Sequence, residues 1–379
     1  MKKICFVTHL PNLNGATRSL LDLLDGLDQT KFEPLVLINS EGPIIEELQK
    51  RNIRYRKTFY APATNSTNKI KNIAKAVLNS SLVNRFSVSL VKKIFQEEKI
   101  DIVHNNSYLV SVGMQAAKEL GIPYVCHLRE FVFEDHGRSF FCEERQTDLL
   151  RNANAVIAIT KAVKEKFQPD TPKEIIVLFD GIKVENYEIK PRELFRNSDI
   201  NILMAGRISP GKGQLDSIKA VEYVRKKLPN RNIKLKVVGG IGDSDYYQKI
   251  TGYVSENKLD FVEIHEFVSD LKKIRENTDI GLTCSSFEAL GRVTVENMLS
   301  SLVTIGADSA GTLELIENGK NGYLYEKEDF RDLADKIIYA ILNKENSEQL
   351  AKVAHDEAMI NFDIKNYSRK LEDTYSKLI

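Results

Sequence analysis

Four charged side chains stand at spacings that could handle an anionic ligand: Arg207, Lys212, Glu288 and Glu296. The cations lie in "AGRISPGKGQ" (205–214), where Gly206, Gly211 and Lys212 fit the phosphate-binding pattern G-x-x-x-x-G-K. The next position of that pattern is Ser or Thr, whose hydroxyl ligates Mg²⁺, and here it is Gly213. A strand ending in a magnesium-holding aspartate is absent too. "KLKVVGG" ends in glycines, and "TDIGLT" carries Asp279 at its start. ATP hydrolysis is therefore disfavoured. A Gly-rich turn at a helix N-terminus, with two cations and free backbone N–H groups, still suits a diphosphate without metal. Read alone, it is equally an ordinary exposed turn.

The carboxylates lie in "SSFEALGRVTVENMLSS" (285–301), eight residues apart with Gly291 between them. A helix beginning near Gly291 puts Glu288 at its mouth and Glu296 roughly one and a half turns inside. A carboxylate accepts from two adjacent hydroxyls, so sugar or ribose OH groups are natural partners. The plainer reading is two surface glutamates favoured by the helix dipole.

Two further residues stand where ligands bind in α/β folds. Gly15, in "NLNGATRSLLDLL" (12–24), follows the first strand and opens a helix, which lets backbone approach a ligand. The full G-x-G-x-x-G is missing and no acidic residue cleanly ends the second strand, which disfavours a nicotinamide site. His127, in "CHLREF" (126–131), ends a strand on the expected ligand side.

These residues need elements to hold them. Short apolar runs recur at 4–8, 34–39, 101–105, 123–128, 155–160 and 175–179, with stretches of helical length between. A polar, proline-containing segment (180–199) reads as a linker, and the alternation restarts at 200–206, 233–240, 261–267, 279–285, 302–307 and 322–326. Strand–helix alternation with continuously apolar strands predicts covered parallel sheets. Two such blocks in 379 residues predict two Rossmann-like domains facing a central cleft, with ligands at the carboxyl ends of the strands. The tail from about Phe362 reads as a last amphipathic helix.

Composition narrows the classes. The net charge of +1 argues against nucleic-acid binding. Cys5, Cys126, Cys142 and Cys284 are far apart, giving neither a zinc pattern nor a disulfide framework, as in a reducing compartment. The N-terminus reads as a strand rather than a signal peptide, and no apolar run approaches the ~20 residues of a membrane span. One asymmetry stands out. Residues 50–96 hold eleven Lys/Arg and no Asp or Glu, and basic and apolar residues alternate at helical spacing over 68–95. Such a stretch is a candidate for peripheral contact with an anionic membrane, or else a solvated helix face.

Together these motifs resemble the retaining glycosyltransferases of family 4, of bacterial surface-polysaccharide type, which have the GT-B fold. The resemblance runs through Gly15, "DIVHNN", "VCHLREF", "AVIAITKAVKEKF", "VLFDGI", "AGRISPGKG", "VVGG", "TDIGLTCSSFEALGRVTVENMLSS" and "AGTLELIENGKNGYLY". It implies an acceptor-binding domain over 1–185, a donor-binding domain over 196–361, and a C-terminal helix (362–379) returning to the first. It implies that Arg207 and Lys212 grip the diphosphate of a nucleotide-sugar donor, with Gly15 and the backbone at Leu290, Gly291 and Arg292 also at the phosphates. Glu296 would hold the ribose, and Glu288 and His127 would act at the donor sugar. No metal or other cofactor is implied. Three positions depart from the usual pattern: Leu290 for an aromatic residue, Asp180 for an asparagine, and "SAGT" (309–312) for a double glycine.

The expected activity is hexosyl transfer, with retention, to a glycan or polyprenyl-diphosphate-linked acceptor at the cytoplasmic face of the cell envelope. Two competing readings stand beside it: a nucleotide-sugar epimerase of the same fold, and a non-catalytic partner subunit of a transferase.

Overall fold

The computed structural model describes residues 1–65, 81–196, 199–268 and 270–379. The chain divides into two compact units, Met1–Ile182 with Asp363–Ile379, and Lys183–Phe362. Each is an α/β unit on one parallel sheet. The first sheet runs β3-β2-β1-β4-β5-β6-β7, with β1 Lys2–Val7, β2 Phe32–Ile38, β3 Arg54–Lys57, β4 Ile102–Asn105, β5 Tyr124–Leu128, β6 Ala155–Ala158 and β7 Ile176–Val177. The second runs β10-β9-β8-β11-β12-β13, with β8 Asp199–Ala205, β9 Asn232–Val238, β10 Val262–His265, β11 Ile280–Thr283, β12 Val303–Ala307 and β13 Tyr323–Tyr325. Strands β4, β5, β11 and β12, and β1 from Ile4 on, are buried, which is why apolar residues dominate their sequences.

Each sheet reverses its strand order beside its first strand. β1 lies between β2 and β4, and β8 lies between β9 and β11. Loops leaving such a switch point are where open α/β sheets bind ligands. Gly15 opens the helix that follows β1, and the Arg207–Lys212 turn follows β8.

From Lys183 onward, the described part of the segment read as a linker belongs to the second unit. Leu194 and Phe195 are buried in its core. Arg192 donates to the carbonyls of Arg275, Thr278 and Ser300 at 3.0, 2.5 and 3.2 Å. Asp279, at the wrong end of its strand for a magnesium ligand, accepts from the backbone N–H of Phe195 and Asn201, each at 2.9 Å. It is a brace for β8 and β11.

The last helix, Ile364–Ser376, completes the first unit. Ile364, Tyr367, Leu371 and Tyr375 join the core formed by β1, β2 and the helix Gly15–Gly26. The chain leaves this unit at Ile182 and re-enters it at Asp363, and the two residues are paired by a β-bridge.

Candidate active site

The turn after β8 is shaped by what packs beneath it. Gly213 has φ +73°, and a Cβ there would stand 2.2 Å from the carbonyl oxygen of Cys284. No Ser or Thr fits, so the missing hydroxyl of the phosphate-loop pattern is excluded by the fold of the turn itself. Gly239 is constrained likewise: its Cβ would lie 1.8 Å from the carbonyl oxygen of Gly206. The glycine ending of β9 is thus a seat for the turn.

Three loops are laced together at this end of the second sheet. Ser286 N–H donates to Gly211 O at 3.1 Å, and Gly311 N–H donates to Glu288 O at 2.8 Å. Ser309 Oγ donates to Ser286 O at 2.6 Å. A Cβ on Gly311 would stand 2.5 Å from the Ala289 carbonyl oxygen, which accounts for the glycine in "SAGT".

That lacing brings residues distant in sequence onto one another. Lys212 Nζ donates to Glu288 Oε1, and Ser285 Oγ donates to the same oxygen at 2.7 Å. Gly291, at φ +85°, caps the helix Arg292–Leu299, and no side chain caps that N-terminus. Leu290 is buried beneath it. Glu296, the fifth residue of this helix, accepts from Arg275 Nη2 at 2.6 Å. Arg207 is exposed, its side chain lies against Gly242, and it carries no ion pair among the described residues. The second unit therefore gathers Arg207, Lys212, Glu288, Leu290, Gly291, Arg292 and Glu296 around three linked loops and one helix.

In the first unit, Gly15 opens the helix Gly15–Gly26 and is exposed, and a Cβ there would meet nothing within 4 Å. His127 is placed differently from the sequence reading. It is fully buried inside β5, between β4 and β6, beside His104 and Arg129, which meet Tyr375 and Tyr367 of the C-terminal helix. Its Nδ1 stands 3.2 Å from His104 Nε2 and 3.3 Å from Arg129 Nη2. A guanidinium only donates, so His127 Nδ1 is the acceptor. His104 Nε2 then carries a proton, and His104 Nδ1 accepts from the Tyr375 hydroxyl at 2.8 Å. Burial, followed by the Arg129 charge, lowers the pKa of His104 to about 3 and holds that of His127 well below its ordinary value. Both rings are neutral parts of the interior.

Arg129 and Asp180 are the pair that the sequence reading passed over. The buried Arg129 donates to Asp180, and Tyr367 donates to Asp180 Oδ1 at 3.3 Å. Asp180, a departure from the pattern expected by resemblance, is the counter-charge of Arg129. Its signal in the sequence was only that departure. Ser285 and Arg275 were also missed. Ser285 gave a local hint, being a hydroxyl three residues before Glu288, whereas Arg275 gave none beyond sharing a helical face with Leu271.

Among the described residues, seven of the eight cations of the basic stretch pair with carboxylates of their own unit. Residues 66–80 of the stretch lie outside the described ones. Lys50 pairs with Glu47, and Arg51 with Asp25 and Glu47. Arg54 pairs with Glu33 and Glu98, Arg56 with Glu97 and Glu98, and Lys57 with Glu41. Lys92 and Lys93 meet Glu119 and Glu97. Among the described residues, no helix is long and apolar enough to cross a membrane.

The chain is similar to known proteins along most of its length. Residues 13–186 match the family model described as Glycosyltransferase Family 4, and residues 185–356 that described as Glycosyl transferases group 1. An uncharacterized glycosyltransferase of Methanocaldococcus jannaschii is 27% identical over 358 residues, covering 91% of this chain and 90% of that protein. The capsular polysaccharide biosynthesis glycosyltransferase CapM of Staphylococcus aureus is 25% identical over 246 residues, covering 60% of this chain and 62% of that one. The crystal structure of Anabaena HepE in complex with UDP-glucose matches the fold with a TM-score of 0.81 at 22% identity, over 100% of both chains. With two parallel-sheet units and a family match running from residue 13 to 356, the chain belongs to the GT-B glycosyltransferases of group 1 and family 4.

Proposed function

We propose that this glycosyltransferase moves a hexosyl unit, with retention, from a nucleoside-diphosphate sugar to a glycan or lipid-linked acceptor in surface-polysaccharide synthesis. The observation that carries the proposal is the juxtaposition of Arg207, Lys212 and Glu288 on laced loops at the switch point of the second sheet. The relation to CapM supports the polysaccharide setting, and the UDP-glucose held by HepE supports the donor class.

In this reading the bond from the anomeric carbon to the diphosphate oxygen breaks, and the bond to the acceptor oxygen forms on the same face. The acceptor proton passes to the departing phosphate oxygen. Negative charge grows on that phosphate in the transition state, where Arg207 and Lys212 offset it. Glu288 receives a donor-sugar hydroxyl and Glu296 a ribose hydroxyl. Gly213 leaves no room for a magnesium-binding hydroxyl, which favours charge neutralisation by side chains over a metal ion.

The test begins with thermal-shift screening against UDP-, GDP- and ADP-sugars. The donor so found is then used to assay transfer. Lys212→Ala is expected to lower transfer about a hundred- to a thousand-fold with unchanged melting temperature. Near-normal turnover would refute the diphosphate role.

A further inference from the structure

Arg275 is among the largest fully buried side chains of the molecule, with 2% exposure. It lies outside the loops that gather the site, in the short helix Lys272–Arg275 before β11. Its surroundings are fixed on every side. Its carbonyl accepts from Arg192 at 3.0 Å, and its guanidinium lies 5.7 Å from the ring centroid of Tyr187. The Tyr187 carbonyl accepts from Ser300 Oγ at 2.9 Å, just beyond the helix that carries Glu296.

From this setting Arg275 Nη2 reaches Glu296 Oε2 at 2.6 Å, while Arg275 Nε is buried with no hydrogen-bond partner. A buried ion pair with an unsatisfied donor is a poor source of stability, and a well-packed apolar side chain would do at least as well. What the pair does provide is orientation. Glu296 is left 12% exposed on its side chain, with Oε2 committed and Oε1 without a partner among the described residues.

We propose that Arg275 is a positioning residue. By holding Oε2 it aims Oε1 of Glu296 at a ribose hydroxyl of the donor nucleotide, so that ribose recognition depends on a residue that never touches the ligand. This rests on the reading of Glu296 as the ribose ligand.

The experiment measures binding by calorimetry of the tightest-binding nucleoside diphosphate among UDP, GDP and ADP, and of its 2′- and 3′-deoxy forms. Wild type, Arg275→Met, Arg275→Lys and Glu296→Gln are compared. Wild type is expected to prefer the ribonucleotide over at least one deoxy form by about ten-fold. Arg275→Met should lose that preference by weakening ribonucleotide binding alone, with deoxynucleotide binding unchanged. Arg275→Lys should restore part of the preference. Unchanged deoxynucleotide binding doubles as the check that the fold survives, and if Arg275→Met does not fold, Arg275→Gln takes its place. A full preference retained in the Met or Gln variant, or equal loss of ribo- and deoxynucleotide binding, overturns the positioning role. If wild type and Glu296→Gln share the same preference, or none of the three nucleotides binds, the ribose reading itself fails and the proposal falls with it.

Discussion

The two units place their charged and titratable groups to opposite ends. In the first, His104, His127, Arg129, Asp180, Tyr367 and Tyr375 are buried and bonded to one another. In the second, Lys212 and Glu288 keep side-chain exposures of 28% and 20%, and Arg207 is open to solvent. The same architecture thus yields one polar cluster turned inward, which fastens the C-terminal helix to the sheet, and one turned outward, which is available to a ligand. A list of charged residues at strand ends does not separate the two. What separates them is whether another element of the same unit covers them.

Three measurements can break or sharpen this contrast. The largest effect is expected from Asp180→Ala, which leaves Arg129 buried without its counter-charge. Denaturant unfolding should show the first unit destabilised by about 3–5 kcal/mol. Nucleotide binding should not change. A loss below 1 kcal/mol would mean that the cluster is not a fastening.

An effect of similar size comes from acid. Both histidines are neutral in the fold, and His104 stays so down to about 3. An unfolded chain takes up both protons below about pH 6.5, so stability is complete above that pH and drains as pH falls toward 3. Between pH 6 and 5 each neutral ring contributes about 1 kcal/mol. Unfolding at pH 7, 6 and 5 checks the slope, and a flat profile between 6 and 5 would contradict the neutral assignment.

The smallest effect belongs to the outward cluster. Glu288 and a diphosphate compete for Lys212, so Glu288→Gln should tighten binding of a bare nucleoside diphosphate by about two- to five-fold while transfer falls. Weaker binding would show that the two residues act on the phosphate together.

Much of this was legible beforehand because it is local. Apolar runs marked the strands, and Gly206, Gly211, Lys212 and Gly291 marked the loops. What stayed hidden depends on partners far along the chain. The basic strand β3, "RYRK", has no apolar pattern, and the carboxylates that settle it at the sheet edge are Glu33 and Glu98. A sequence does not reveal that His127, near the end of its strand, is buried beside His104 and Arg129. Arg275 and Glu296 are 21 residues apart with no motif joining them. Gly213 read as a lost hydroxyl until Cys284 was found pressed against it.

The β-bridge between Ile182 and Asp363 has a consequence for the order in which the protein is made. The second unit is one uninterrupted segment and can fold as soon as residue 362 has left the ribosome. The first unit cannot close its core until Tyr367, Leu371 and Tyr375 have been synthesised, some 180 residues after the rest of it. For that interval a core lacking one of its covering helices waits on the nascent chain. A ribosome-stalled chain ending near residue 360 is therefore the species most in need of a chaperone.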